Sequence, residues 1–198
     1  MNSDVLMTKS RLEDHMQSHI DLSNILIAGI ASSVYDMCEK LRECLLSDGT
    51  IFVAGNGGSA SQSQHLVAEL VGRFINDRRP LKAVCLNADT AVMTCIVNDF
   101  GADQMFARQL DAVGSQKDIF IGFSTSGLSN NLNEAFKLAK RKQIYSCAIL
   151  GKQGGVAKDL SDTSIIIPSC STALIQEMHL VICHLLCLGL ESSLGLND

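Results

Sequence analysis

Between Thr50 and Arg73 the chain reads Thr-Ile-Phe-Val-Ala-Gly-Asn-Gly-Gly-Ser-Ala-Ser-Gln-Ser-Gln-His-Leu-Val-Ala-Glu-Leu-Val-Gly-Arg. Ile51 to Ala54 form a short apolar run that predicts a buried strand. A glycine turn follows, and then a helix opened by Ser59. Asn56, Gly57 and Gly58 tolerate positive φ, a conformation that costs other residues roughly 1–2 kcal/mol. Ser59 predicts an N-cap, with helical N–H groups behind it that lack a partner inside the helix. Those donors and the positive end of the helix dipole suit an anionic group. One turn further on, His65 and Glu69 stand at i and i+4 and share a face. A loop, an anion site and a His/Glu pair on one strand–loop–helix imply chemistry on a small phosphorylated molecule.

The rest of the chain repeats this alternation. Residues 9 to 47 carry apolar positions at helical spacing, which predicts one or two long helices closed by Asp48-Gly49. Strands are predicted at 51–54, 82–86, 119–123, 146–150 and 164–167, and helices near 59–74, 90–97, 103–113, 129–142, 155–160 and 173–193. Short apolar strands separated by helices predict a parallel sheet covered on both faces, which binds ligands beyond the carboxyl ends of its strands. Asn56-Gly-Gly-Ser then falls after the first strand and Phe123-Ser-Thr-Ser-Gly-Leu-Ser129 after the third, both at that end. Hydroxyls and backbone donors in such turns suit phosphate oxygens, although Ser and Thr also occupy turns for local reasons.

Composition narrows the classes. The chain has 198 residues, 46% of them apolar, and only two prolines, as expected of one domain with a substantial core. A net charge of −5 lacks the basic footprint of a nucleic-acid binder. No apolar run reads as a transmembrane helix, Met1 to Arg11 does not read as a signal peptide, and a cytoplasmic location is expected. The eight cysteines include no C-x-x-C pair and lie mostly in apolar segments, as reduced core residues do; Cys183, next to His184, is the one to watch.

Gly55-Asn-Gly-Gly-Ser59, Gln64-His65, Glu69-Leu-Val-Gly-Arg73, Asn98-Asp99-Phe-Gly, Ser124-Thr-Ser-Gly and Ile175-Gln-Glu-Met-His179 together resemble the phosphoheptose isomerases of the sugar isomerase (SIS) family. The similarity runs from about residue 20 to 190. It implies a flavodoxin-like three-layer αβα sandwich with a five-stranded parallel sheet, a single SIS domain over 1–198 with a helical leader over 1–48. It implies a homotetramer with sites between subunits, to which charge and hydropathy add the expectation of no nucleic-acid or membrane partner. The implied reaction interconverts sedoheptulose 7-phosphate and D-glycero-D-manno-heptose 7-phosphate, for lipopolysaccharide or capsule. By the same resemblance, one Zn²⁺ per site is held by His65, Glu69, Gln176 and His184. Asn56, Gly57, Gly58, Ser59, Glu69, Asn98, Asp99, Ser124, Thr125, Ser126, Ser129 and Gln176 contact substrate, and Glu69 and His184 are the acid–base pair. Leu128 and Leu174 depart from common family residues, as does the absence of Asp between Ser59 and His65.

A ketose–aldose isomerase must take a proton beside a carbonyl, return one to the neighbouring carbon, and stabilise the oxyanion between. On the residues alone, Glu69 fits either a base or a solvated helix edge, and His184 either a catalyst or a core histidine. Gln176 and His184 share a face but lie about 12 Å apart along a helix axis. Two histidines, a carboxylate and an amide oxygen suit Zn²⁺ better than Mg²⁺. Arg73 stands four residues beyond Glu69, where it fits a pair with that carboxylate, a pair with an acidic neighbour, or a surface ion pair of little weight. Glu177, His179 and His19 read as structural. The competing reading is a non-catalytic SIS protein that binds phosphosugar or associates with a replication initiator; its relatives lack the Glu69 and His184 equivalents that this chain keeps.

Overall fold

The computed structural model describes residues 9–27 and 29–196. The first eight positions of the leader, and with them most of the segment read as no signal peptide, lie outside the described residues. Helices α1 (Lys9–Ile27) and α2 (Ile30–Leu46) make up the leader. Asp48, at φ 62, and Gly49 close α2, and Gly49 N–H donates to the Cys44 carbonyl at 2.8 Å. A Cβ on Gly49 would meet the Lys117 carbonyl oxygen at 2.2 Å, so the closing residue has to be glycine.

Strands β1 (Ile51–Gly55), β2 (Ala83–Cys85), β3 (Ile119–Ser124), β4 (Tyr145–Gly151) and β5 (Thr163–Ile167) form one parallel sheet in the order β2-β1-β3-β4-β5. The chain fills it from the middle outward, so the switch point lies between β1 and β3, where ligands bind in sheets of this type. Between strands run α3 (Gly58–Val71), α4 (Thr90–Phe100), α5 (Ala107–Val113), α6 (Asn130–Lys142) and α7 (Ala157–Leu160), with α8 (Thr172–Ser193) at the end. The helix expected over 103–113 is split into a 3₁₀ turn at Ala102–Gln104 and α5. The break falls where Phe106, fully buried, enters the core.

Side chains alternate across a strand, and here the alternation sorts the core into two layers. Ile51, Val53, Ile119, Ile121, Phe123, Cys147, Ile149, Ile165 and Ile167 pack with α2, α3 and α8. Phe52, Ala54, Phe120, Ala148 and Leu150 pack with α5, α6 and α7. Both faces of the central strands β1, β3 and β4 being covered, their residues are apolar apart from Ser124 and Ser146. Helix α8 has the length and composition of a membrane span, but Ile175, Met178, Ile182, Cys183, Leu186, Cys187 and Leu190 spend its apolar face on the first core.

Helix α1 is different. Leu22 is its one buried residue, while Leu12, Met16, Ile20 and Ile25 are exposed. It is tied to α8 through Glu177, whose carboxylate meets His15 Nε2 at 2.9 Å and His19 Nδ1 at 3.0 Å. Burial pulls the Glu177 carboxyl upward, but the hydrogen bonds from His19 and His15 outweigh it and leave it below its ordinary value. His19 thus has a defined partner beyond packing.

Candidate active site

The turn after β1 is tighter than its sequence suggests. Gly57, at φ 56, is the N-cap, and α3 starts at Gly58. The left-handed turn starts the helix two residues early, so Ser59 lies buried inside its first turn and is not the cap. The N–H groups of Ser59 and Ala60 are taken by the carbonyls of Asn56 and Gly57, both at 3.0 Å. Only Gly57 of the three turn residues has positive φ. Gly58 is glycine for another reason: a Cβ there would lie 2.3 Å from the side-chain nitrogen of Gln176. Asn56 exchanges two 2.9 Å amide hydrogen bonds with Asn131 in the first turn of α6, which pins this turn to the next loop. Asn87 clamps the end of β1, accepting from Gly55 N–H at 3.1 Å and donating to its carbonyl at 2.9 Å.

The second loop, Ser124 to Ser129, joins β3 to α6. Ser124 is buried, and its Oγ accepts from Gly127 N–H at 2.9 Å and stands 3.5 Å from Ser129 Oγ. Ser126 Oγ accepts from Leu128 N–H at 3.2 Å. Ser129 occupies the N-cap of α6 but makes no side-chain cap hydrogen bond, so its hydroxyl is not spent on the helix. Thr125 is half-buried beside them. Hydroxyls gathered at a helix N-terminus offer a phosphate neutral donors in a fixed array.

The third element is the meeting of α3 with α8. His65 Nε2 lies 2.9 Å from His184 Nε2 and 3.7 Å from Glu69 Oε1. The two rings meet edge to face, with centroids 5.2 Å apart, and Phe74 lies against the His184 ring at 5.5 Å. With two imidazole nitrogens facing one another, one must carry a proton that the other accepts. The side chains of His65 and Glu69 are 36% and 22% exposed, so solvent or a ligand can reach them. As they stand, no three His, Cys, Asp or Glu side chains among the described residues form a closed metal-ligand set.

Other predicted residues fall elsewhere. Within its own chain Gln176 sits at the loop end of α8, its side chain against Gly58 and its carbonyl accepting from Gln62 Nε2. Helical rise places it about 12 Å from His184. Asn98 and Asp99 lie on the exposed last turn of α4, which runs on to Phe100; Asn98 Nδ2 donates to Asp99 Oδ1 at 2.7 Å. Cys183 is fully buried and its thiol is pushed up by that burial, so it is a neutral core residue. All eight cysteines are free, and Cys95 and Cys170 are exposed.

Arg73 is exposed, and the arginine that supports Glu69 is Arg78. Its guanidinium donates to the backbone carbonyls of Glu69 at 2.7 Å and Leu70 at 2.9 Å, and to Glu191 Oε1 at 2.9 Å. It thereby satisfies carbonyls that the end of α3 leaves without partners. The pairing joins residues more than a hundred positions apart, and no local spacing signals it.

Residues 17–151 match the family model described as SIS domain. A phosphoheptose isomerase of Helicobacter pylori is 39% identical over 181 residues, covering 91% of this chain and 94% of the relative. Phosphoheptose isomerase 1 of Campylobacter jejuni is 42% identical over 185 residues, covering 92% and 97%. Among solved structures, the phosphoheptose isomerase of Francisella tularensis superposes with a TM-score of 0.90 at 30% identity, covering 94% of this chain and 100% of that one. That of Neisseria gonorrhoeae gives 0.88 at 34%, covering 93% and 98%.

Proposed function

We infer the function from the premise that this chain belongs to the SIS domain family and, within it, to the phosphoheptose isomerases. It is an aldose–ketose isomerase that interconverts sedoheptulose 7-phosphate and D-glycero-D-manno-heptose 7-phosphate. The observation that carries the chemistry is the convergence of His65, Glu69 and His184 from two helices far apart in sequence. In this reading Glu69 takes the proton beside the substrate carbonyl and His184 delivers one to the neighbouring carbon. His65 holds the His184 ring in place through its Nε2 contact. Positioned acid–base groups of this kind contribute about 10²–10⁴-fold each. Ser124, Thr125, Ser126 and Ser129 hold the phosphate, while Asn56, Gly57, Gly58, Ser59 and Gln176 border the sugar.

Glu69 lies eleven residues beyond Gly58, about 16 Å along the α3 axis. That span favours a site in which one protomer's acid–base pair faces a neighbour's phosphate loop. The unspent apolar surface of α1, and exposed Val92, Val97 and Phe100 on α4 beside Asn98 and Asp99, favour the same homotetrameric assembly. A cytoplasmic enzyme feeding heptose into lipopolysaccharide or capsule is the role that goes with it.

The residues that would hold a zinc ion are His65, Glu69 and His184, whose chemistry suits it although their side chains do not form a closed set as they stand. Gln176, at the other end of α8, does not join them within its own chain. When bound, such an ion would polarise a carbonyl or enediolate oxygen. Metal analysis of protein purified without chelator tests this, and full activity with well under one zinc per several chains would reject it. The isomerase itself is tested by incubation with sedoheptulose 7-phosphate in deuterated water. Aldose product carrying exchanged hydrogen is expected; neither product nor exchange would refute the reading.

A further inference from the structure

The serine loop offers a phosphate dianion hydroxyls and the positive end of α6, but no side chain of full positive charge. A cavity of about 530 Å³ adjoins the loop, walled by Ser126 and Leu128 after β3, Lys152 after β4, and Pro168 and Ser169 after β5. Lys152 is the one cation in its lining, and no carboxylate shares it. The ion pairs of the described residues engage Lys9, Lys40, Lys82, Lys117, Lys137 and Lys142, but not Lys140, Lys152 or Lys158, and of these three only Lys152 lines the cavity.

The lysine is held there by backbone geometry. Its φ is 58, in the left-handed region that disfavours a residue with a Cβ. Such outliers persist where the surrounding structure fixes them, and they cluster at functional sites. The turn carrying Lys152 is locked to the serine loop. A Cβ on Gly127 would lie 1.8 Å from the Gly154 carbonyl oxygen, and one on Gly155 would lie 2.5 Å from that of Ser126. Ala157 N–H donates to the Gly127 carbonyl at 3.0 Å. The two turns touch backbone to backbone, so the root of the Lys152 side chain is fixed in the wall of the cavity that Ser126 also lines.

We propose that this cavity is an anion subsite continuous with the serine loop, and that Lys152 supplies the positive charge for the substrate's phosphate. The assignment rests on the isomerase reading and adds a residue that selects phosphorylated over free sugar. It is a positioning role: the lysine meets the phosphate end and takes no part in proton transfer.

The test compares wild type, Lys152→Met and Lys152→Arg, using sedoheptulose 7-phosphate as substrate and inorganic phosphate as probe. Loss of one charge-assisted hydrogen bond raises KM about tenfold and weakens phosphate binding, measured by calorimetry, to the same extent. The salt dependence of KM flattens. The kcat of Lys152→Met stays within about twofold of wild type, because uniform binding is what is lost. Lys152→Arg restores KM. Lys152 is exposed, and matching circular dichroism melts verify that the variant is folded. Wild-type KM and phosphate affinity in Lys152→Met would overturn the proposal, as would a fall in kcat at unchanged KM. If wild type turns over no sedoheptulose 7-phosphate yet loses phosphate binding on Lys152→Met, the isomerase reading fails and the subsite stands.

Discussion

Glu191→Gln isolates the buried support beneath Glu69. The side chains of Arg78 and Glu191 are 2% and 1% exposed, and the guanidinium reaches from that carboxylate to the last carbonyls of α3. A cation suits this place, since a helix C-terminus is its negative end. Removing one partner of such a pair leaves a buried charge uncompensated, at a cost of about 3–5 kcal/mol. The glutamine oxygen still accepts one hydrogen bond, which recovers about 1 kcal/mol. The net loss is therefore about 2–4 kcal/mol, or roughly 6–12 °C in melting temperature for a chain of this size. Circular dichroism melts at matched protein concentration measure it. A drop below about 2 °C would show that the pair contributes no more than a surface ion pair. Replacing both partners by Arg78→Met and Glu191→Leu recovers much of the loss, because the desolvation cost disappears with the charges.

Glu69→Gln is expected to lower kcat by about 10²–10⁴-fold with little change in melting temperature, and wild-type turnover would remove its role as base. His179 gives an acid-sensitivity prediction. Burial lowers its pKa from 6.5 to about 4; the Leu150 carbonyl opposes the shift, although neither ring nitrogen makes a well-formed hydrogen bond. The unfolded chain therefore takes up a proton below pH 6.5 that the folded chain refuses until about pH 4, and stability falls across that window as pH drops. At pH 5 the loss is about 2 kcal/mol, and urea titrations of His179→Met at pH 7 and 5 should show that much less pH dependence than wild type. Equal dependence in both would refute it. Gly127→Ala drives a Cβ into the Gly154 carbonyl and should raise KM for the sugar phosphate while leaving the His65–His184 contact intact; an unchanged KM would separate the loop from phosphate binding.

The sheet was legible because both faces of its central strands β1, β3 and β4 are covered: their residues are apolar apart from Ser124 and Ser146, and such runs stand out between helices. The serine loop was legible for a similar reason, since the carboxyl-end rule converts strand order into loop position. Residues whose role depends on distant partners were hidden. Arg73 stood at the right spacing from Glu69, yet Arg78 does the work, because its partner Glu191 comes from the other end of the chain. The clamp of His15 and His19 on Glu177 spans about 160 residues, which no local pattern reports. Asn131 lies in a polar helix start whose pairing with Asn56 exists only once β1 and β3 are adjacent. The start of α3 was misplaced by two residues because Gly57, rather than Ser59, ends the turn.

The contact of Gly127 with Gly154 and Gly155 has a consequence for how these loops can change over time. Neither turn has room to drift alone, since added bulk on one collides with the main chain of the other. Change in this region therefore has to come at the rim, at exposed positions such as Leu128 and Lys152, while the glycine contact between the loops stays as it is.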